Sequence, residues 1–334
     1  MLQSEANPMK FAIYGAGAIG AFLGAKLALS GQETTLIARG PHLNAMRTSG
    51  VKVLSPYGDF HAYPKVAETT DEIGPVDVVF LTVKAHSLPE VVPTLAPILD
   101  KETIIVSAQN GIPWWYFHGV VGEWGNLHLE TVDPGGHIAS AIDPARIIGC
   151  IVYPSSLIVE PGVIRHTEGN RFAIGEIDGS ITERCKRLSS ALINAGFKAP
   201  IRSRIRQEIW AKLLGNVAFN PLSAITRSTL ADIAGHPETA SVAKNIMVEA
   251  HSVASGLGIS IPVTIEQRFA GAAEVGDHKT SMLQDIESGR PTELENIMGA
   301  IIELGDKLQI QMPYSQAVYA CVRLLTEAMK PNSD

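Results

Sequence analysis

Cysteine is scarce in this chain. The three cysteines among 334 residues, Cys150, Cys185 and Cys321, stand far apart and form no CxxC pair. That spacing argues against a disulfide scaffold and a cysteine zinc site, and it fits a reducing, cytoplasmic setting. Basic charge is also in short supply: 27 Lys and Arg face 34 Asp and Glu, a net charge of -7. A globally basic surface of the kind that grips nucleic acid is therefore missing. Long apolar runs are absent too. Gly, Pro or charge interrupts each one before the roughly 18 residues of a membrane span. The opening MLQSEANPMK is polar, lacks the apolar core of a signal peptide, and reads as a loose tail over residues 1–8. The histidines form no HExxH motif or pair at ligand spacing, so no metal site is expected. No GxSxG elbow supports a hydrolase triad.

What is present is globular. Hydrophobic residues make up 46% of the chain and charged residues 18%, and the length suggests about two domains. The first half alternates short apolar runs with helical patterns: FAIYGAG from Phe11, a helix from Ala18, TTLIAR from Thr34, VDVVFLTVKA from Val76 and TIIVSAQNG from Thr103. Such alternation implies an α/β fold, a Rossmann-type doubly wound parallel sheet, with ligands outside the carboxyl ends of the strands. Lys84 and Asn110 stand at two of those ends. Residues 112–144 are irregular, hold Trp114, Trp115 and Trp124, and read as an insertion or lid. GVIRHTEGNRFAIGEIDG from Gly162 alternates like a hairpin, with its turn at Glu168 to Asn170. From Ile181 the pattern becomes helical, and Asn220-Pro221 predicts the end or a kink of one long helix. The division falls at residues 1–178, a dinucleotide-binding domain, and 179–334, an all-helical domain. The apolar faces of the last helices suit packing either internally or across a homodimer.

GAGAIG, the run Gly15, Ala16, Gly17, Ala18, Ile19 and Gly20, matches GxGxxG directly after a strand and at the start of a helix. Gly15 permits the tight turn, Gly17 lets the backbone approach a pyrophosphate, and Gly20 allows close helix–sheet packing. The second strand ends in Ala38-Arg39-Gly40 with no acid to hold a ribose 2′-hydroxyl. Arg39 instead offers a fork for the 2′-phosphate of NADP(H). Further on, Lys212, Asn216 and Asn220 recur at i, i+4 and i+8, on one helix face among apolar neighbours. A lysine and two amides aligned in this way suit protonation and hydrogen bonding of a small polar substrate. Glu293, at a helix start, either favours its helix dipole or pairs with Lys212, and the sequence leaves both open.

Taken in order, GAGAIG, Ala38-Arg39, TVKA around Lys84, QNG around Asn110, IWAKLLGNVAFNPLSAI from Ile209 and SMLQDIESGRPTE from Ser281 resemble the ketopantoate reductase (2-dehydropantoate 2-reductase) family. The resemblance covers nearly the whole chain apart from the tail and the Trp-rich segment. It implies NADPH-dependent reduction of a 2-oxo acid ketone, with ketopantoate as the leading substrate and pantothenate synthesis as the setting. It assigns Gly15 to Gly20 to the pyrophosphate, Arg39 to the 2′-phosphate, and Lys84 and Asn110 to the nicotinamide end. Lys212 becomes the general acid, with a pKa that partial burial lowers and Glu293 raises. Asn216, Asn220 and Ser281 hold the substrate, and Glu293 stands near Lys212 and the cofactor ribose. The alternatives are a same-family reductase for a different, bulkier 2-oxo acid and a non-catalytic NADP(H)-binding regulator.

Overall fold

The computed structural model describes residues 8–329, so residues 1–7 of the expected tail lie outside the described residues. Two compact units emerge. One comprises Met1–Gln109 with His137–Ile205, the other Asn110–Gly136 with Arg206–Asp334.

In the first unit the chain runs β1 (Lys10–Tyr14), α1 (Ala18–Leu29), β2 (Glu33–Ile37), α2 (Gly40–Ser49), β3 (Val51–Leu54), β4 (Phe60–Ala62) and β5 (Lys65–Ala67). It continues through β6 (Val78–Leu81), α3 (Leu88–Val91) and β7 (Ile104–Ser107). After the intervening segment follow α4 (His137–Ala141), β8 (Ile147–Val152), β9 (Ser155–Glu160), β10 (Val163–Glu168), β11 (Phe172–Glu176) and α5 (Glu183–Asn194). The larger sheet has the order β11-β8-β7-β6-β1-β2-β5. Its strands are parallel except β11, which runs antiparallel to β8. Every residue of β6 and β7 is buried, as continuous apolar strands covered on both faces should be. In this order β1 lies between β2 and β6, so the strand order reverses beside β1, and ligands of open parallel sheets bind at the carboxyl ends of the strands at such a reversal.

A second sheet, β4-β3-β10-β9, lies in the same unit. Helix α1 packs against β2 and also against β9 and β10. This double covering explains why AIGAFLGAKLAL is apolar nearly all round. Phe22 is fully buried there, its ring stacked on His166 with centroids 4.3 Å apart. Truncating such a side chain to alanine costs about 3–5 kcal/mol.

Three expectations need correction. The segment from Gly162 is not one hairpin: β10 pairs with β9 and β3, whereas β11 pairs with β8 in the other sheet. Alternation reports a half-buried strand but does not choose its partner. Of the two outcomes expected at Asn220-Pro221, an end or a kink, the end does not occur: the helix runs from Ile205 through Pro221 to Thr226. Residues 219–224 are all buried, and that burial outweighs the roughly 3 kcal/mol of an interior proline. The units also differ from the 178/179 division. Helix α5 packs on β11, and Arg171 and Ile174 bridge to Lys198 and Ile201, so the first unit reaches Ile205. Residues 110–136 belong with the helices.

The second unit takes up the chain again at Arg206, the second residue of α6 (Ile205–Thr226), and holds α7 (Leu230–Gly235), α8 (Pro237–Gly256), α9 (Ile265–Glu274), α10 (Ser281–Glu287), α11 (Ala300–Lys307) and α12 (Pro313–Ala328). Buried Glu249 of α8 accepts the Tyr314 and Ser315 backbone N–H groups at 2.9 and 2.8 Å, and so caps α12. Among the described residues no helix is long and apolar enough to cross a membrane.

Candidate active site

In the first unit the glycine-rich turn leaves β1 and enters α1. Gly15 has φ +100°, a conformation that favours glycine. Ala16 N–H donates to the Ile37 carbonyl at 2.9 Å, and Thr82 Oγ1 donates to the Gly15 carbonyl at 2.8 Å, so the turn is fastened to β2 and to the residue after β6. A Cβ on Gly20 would overlap the Gly15 carbonyl oxygen. A Cβ on Gly17 would meet no protein atom within 4 Å, which leaves its backbone open to an incoming group. Helix α1 begins with no side-chain cap and no acid in its first turn. Open N–H donors and an unopposed helix dipole suit a pyrophosphate, so these residues fit a dinucleotide. Arg39 is exposed at the N-cap of α2, just past β2. Lys84 is half-buried and follows β6 by three residues.

The second unit holds the other cluster. Lys212 Nζ donates to Asn110 Oδ1 at 2.7 Å, and Asn110 Nδ2 donates to Glu293 Oε2 at 3.0 Å. An ammonium only donates and an ionised carboxylate only accepts, so the amide between them has one orientation that satisfies both. All three residues are half-buried. Local backbone holds Asn110 in place. Gly111 has φ +84°, and a Cβ there would overlap the Asn296 carbonyl. Ile112 N–H donates to that same oxygen at 3.0 Å. Asn296 lies in a π-helical turn, Glu295–Gly299, just beyond Glu293. Such turns redirect side chains and recur at functional sites.

Asn216 and Asn220 follow Lys212 along α6, Asn216 half-buried and Asn220 buried. Ser281 is exposed in the first turn of α10, which Thr280 caps. Hydrogen bonds thus join Lys212, Asn110 and Glu293; the two further asparagines share their helix face, and Ser281 shares only their unit. The Trp-rich segment is fastened down within the helical unit. Trp210 Nε1 donates to the Tyr116 hydroxyl at 2.7 Å, and Arg206 donates to the Tyr116 and His118 carbonyls at 2.6 and 2.7 Å. Burial pushes the Tyr116 phenol pKa upward. Glu303 accepts the Glu130 and Thr131 N–H groups and the Thr131 hydroxyl. Burial works to raise the Glu303 carboxyl, but these hydrogen bonds hold it below the usual value.

The family model described as ketopantoate reductase PanE/ApbA matches residues 11–179, and its C-terminal model matches residues 204–326. A 2-dehydropantoate 2-reductase of Mesorhizobium japonicum is 45% identical, over 95% of this chain and 98% of its own. The chain belongs to the ketopantoate reductase family. A solved putative ketopantoate reductase from Ralstonia solanacearum MolK2 is 32% identical and superposes with a TM-score of 0.91, covering 97% of this chain and 99% of that one. A solved D-mandelate dehydrogenase bound to NADH matches at 22% identity with a TM-score of 0.83, covering 96% of this chain and 99% of that one, a likeness of fold. As a ketopantoate reductase family member the chain is a nicotinamide-dependent oxidoreductase.

Sequence reasoning missed several supports of these two clusters. Gln109 Nε2 donates to the Leu81 and Val83 carbonyls at 2.7 and 3.1 Å, binding the ends of β6 and β7 together. His42 Nδ1 accepts the Gly162 N–H at 3.0 Å, beside the glycine-rich turn. Neither sits in a motif; the QNG run was the only signal for the first, and nothing marked the second.

Proposed function

We propose that the chain reduces the ketone of 2-dehydropantoate to the alcohol of pantoate, using NADPH. The observation that carries the reading is the Lys212–Asn110–Glu293 chain of hydrogen bonds, in which a lysine ammonium rests on an amide that a carboxylate orients. The name of the 45% identical relative supports the substrate. Arg39 at the end of β2, where an NAD site would carry an acid, supports NADPH over NADH.

When bound, the reduced nicotinamide supplies the hydride that turns ketone into alcohol. Gly15 to Gly20 bind its pyrophosphate, Arg39 its 2′-phosphate and Lys84 its nicotinamide end. Charge grows on the ketone oxygen as hydride arrives. Lys212 Nζ stabilises that charge and gives the oxygen its proton. Asn110 restrains the ammonium, and Glu293 fixes the Asn110 amide and offsets the lysine charge. Asn216, Asn220 and Ser281 hydrogen-bond the substrate hydroxyl and carboxylate. A bulkier 2-oxo acid is the second reading. Its support is the aromatic segment that begins four residues after Asn110, at Trp114.

The test follows oxidation of NADPH and NADH by purified protein with ketopantoate and a panel of other 2-oxo acids. The expected result is the highest kcat/KM for ketopantoate with NADPH, with that cofactor preference lost in R39A. Preference for an aromatic 2-oxo acid would replace the substrate. No oxidation with any 2-oxo acid would overturn the enzymatic reading in favour of an NADP(H)-binding regulator.

A further inference from the structure

We infer that Arg268 receives the carboxylate of the 2-oxo acid, an assignment that rests on the proposed reaction. A 2-oxo acid brings a full negative charge to the site beside its ketone. Lys212 is committed to the ketone oxygen and is offset by Glu293 through Asn110. Asn216, Asn220 and Ser281 are neutral. A carboxylate placed among them finds hydrogen-bond donors but no counter-charge, and a cation beside them offsets the cost of drawing that charge out of water.

Helix α6 supplies the place for one. Gly215 stands in the middle of this 22-residue helix, where glycine is a poor choice on propensity alone. A Cβ on Gly215 would overlap the Arg268 guanidinium, at Nη2, Cζ and Nε. The missing side chain therefore makes room for the flat face of this group. At about 100° per residue, Lys212 lies about 60° round the helix from Gly215 and Asn216 about 100° round on the same side. The guanidinium thus borders the polar stripe at its lysine end. Its own helix, α9, is fixed alongside: Phe269 packs on Phe219 with ring centroids 5.6 Å apart, and Lys244 Nζ lies 4.6 Å from the Phe269 ring. Arg268 is half-buried, so its charge is only partly screened. Its planar fork matches the two oxygens of a carboxylate, which a lysine does not.

The experiment measures kcat and KM for ketopantoate and for its uncharged methyl ester, with NADPH affinity read separately by fluorescence titration. The variants are R268M, R268K and G215A. R268M should raise the ketopantoate KM roughly ten- to a hundredfold, the range for a lost charge-assisted hydrogen bond. The ester KM, kcat and NADPH affinity should stay near wild type, and R268K should recover only part of the loss. G215A keeps the arginine but displaces it, and alanine suits the helix better. It should raise the ketopantoate KM in the same direction without loss of Tm, so the test survives if R268M fails to fold. An unchanged ketopantoate KM in R268M or G215A would overturn the assignment, as would acid and ester KM rising together, the mark of a packing role. If the wild type turns over no 2-oxo acid, the proposed reaction fails and the assignment falls with it. If the wild type turns over ketopantoate and the variants match it, Arg268 alone is wrong.

Discussion

The glycine-rich turn of the first unit and the lysine cluster of the second are built in opposite ways. The turn is six consecutive residues, Gly15 to Gly20, whose spacing states its geometry. The cluster joins residues separated by 102 and 183 positions in the chain. One is a local backbone device, held in place by the Ile37 carbonyl and the Thr82 hydroxyl. The other exists only once α6, the 110–112 turn and the π-helical segment have packed together. Backbone amides can bind an anion from a short motif, whereas orienting one proton donor takes side chains from three places.

That contrast can be broken by separating binding from chemistry. K212A should cut turnover about a thousandfold, the combined scale of lost proton donation and charge stabilisation. NADPH affinity should stay within twofold, measured by fluorescence titration beside steady-state rates. A loss of affinity as large as the loss of rate would mean that the two regions are not functionally separate. G17A comes next. A Cβ there meets nothing in the protein within 4 Å, so Tm should not change. Yet the methyl group would occupy the space that the dinucleotide needs, and NADPH should bind about tenfold more weakly, since each tenfold loss is about 1.4 kcal/mol. Unchanged affinity would remove the glycine-rich turn from the cofactor site.

The smallest effect concerns His42, which accepts the Gly162 N–H. Burial, outweighing a hydrogen bond with the Ala16 backbone, holds its pKa below the ordinary 6.5. The folded chain therefore resists a proton that the unfolded chain accepts. This share of stability is whole above pH 6.5 and is lost as pH falls towards the depressed folded value. H42Q keeps an acceptor and a donor without titrating, and its Tm should decline less than wild type over that acidic range. Parallel declines would show that His42 does not couple to folding.

The parallel strands and the glycine-rich turn were legible because each carries its signal within a few residues. Continuous apolar runs such as VVFL can only be strands or helices buried on all sides, and flanking glycines decide between them. The partner of β10 was not legible, because alternation names a face and not a sheet. The continuation of α6 past Pro221 was hidden because a local steric penalty is visible in sequence and the burial that outweighs it is not. Lys212, Asn216 and Asn220 could be placed on one helix face from spacing alone. Glu293 could not be assigned, since its partner Asn110 is remote in sequence. Arg268 left only a mid-helix glycine as its trace, a gap whose meaning appears when α9 is seen lying against it.

The central claim is that Lys212 and Asn110 act as one unit in proton donation. A double-mutant cycle on single-turnover NADPH oxidation with ketopantoate, comparing wild type, N110A, K212A and N110A/K212A, tests it most directly. If Asn110 works by holding the lysine, its removal costs rate in the wild type and almost nothing once Lys212 is gone. Losses that multiply, with N110A slowing K212A as much as it slows the wild type, would contradict the account.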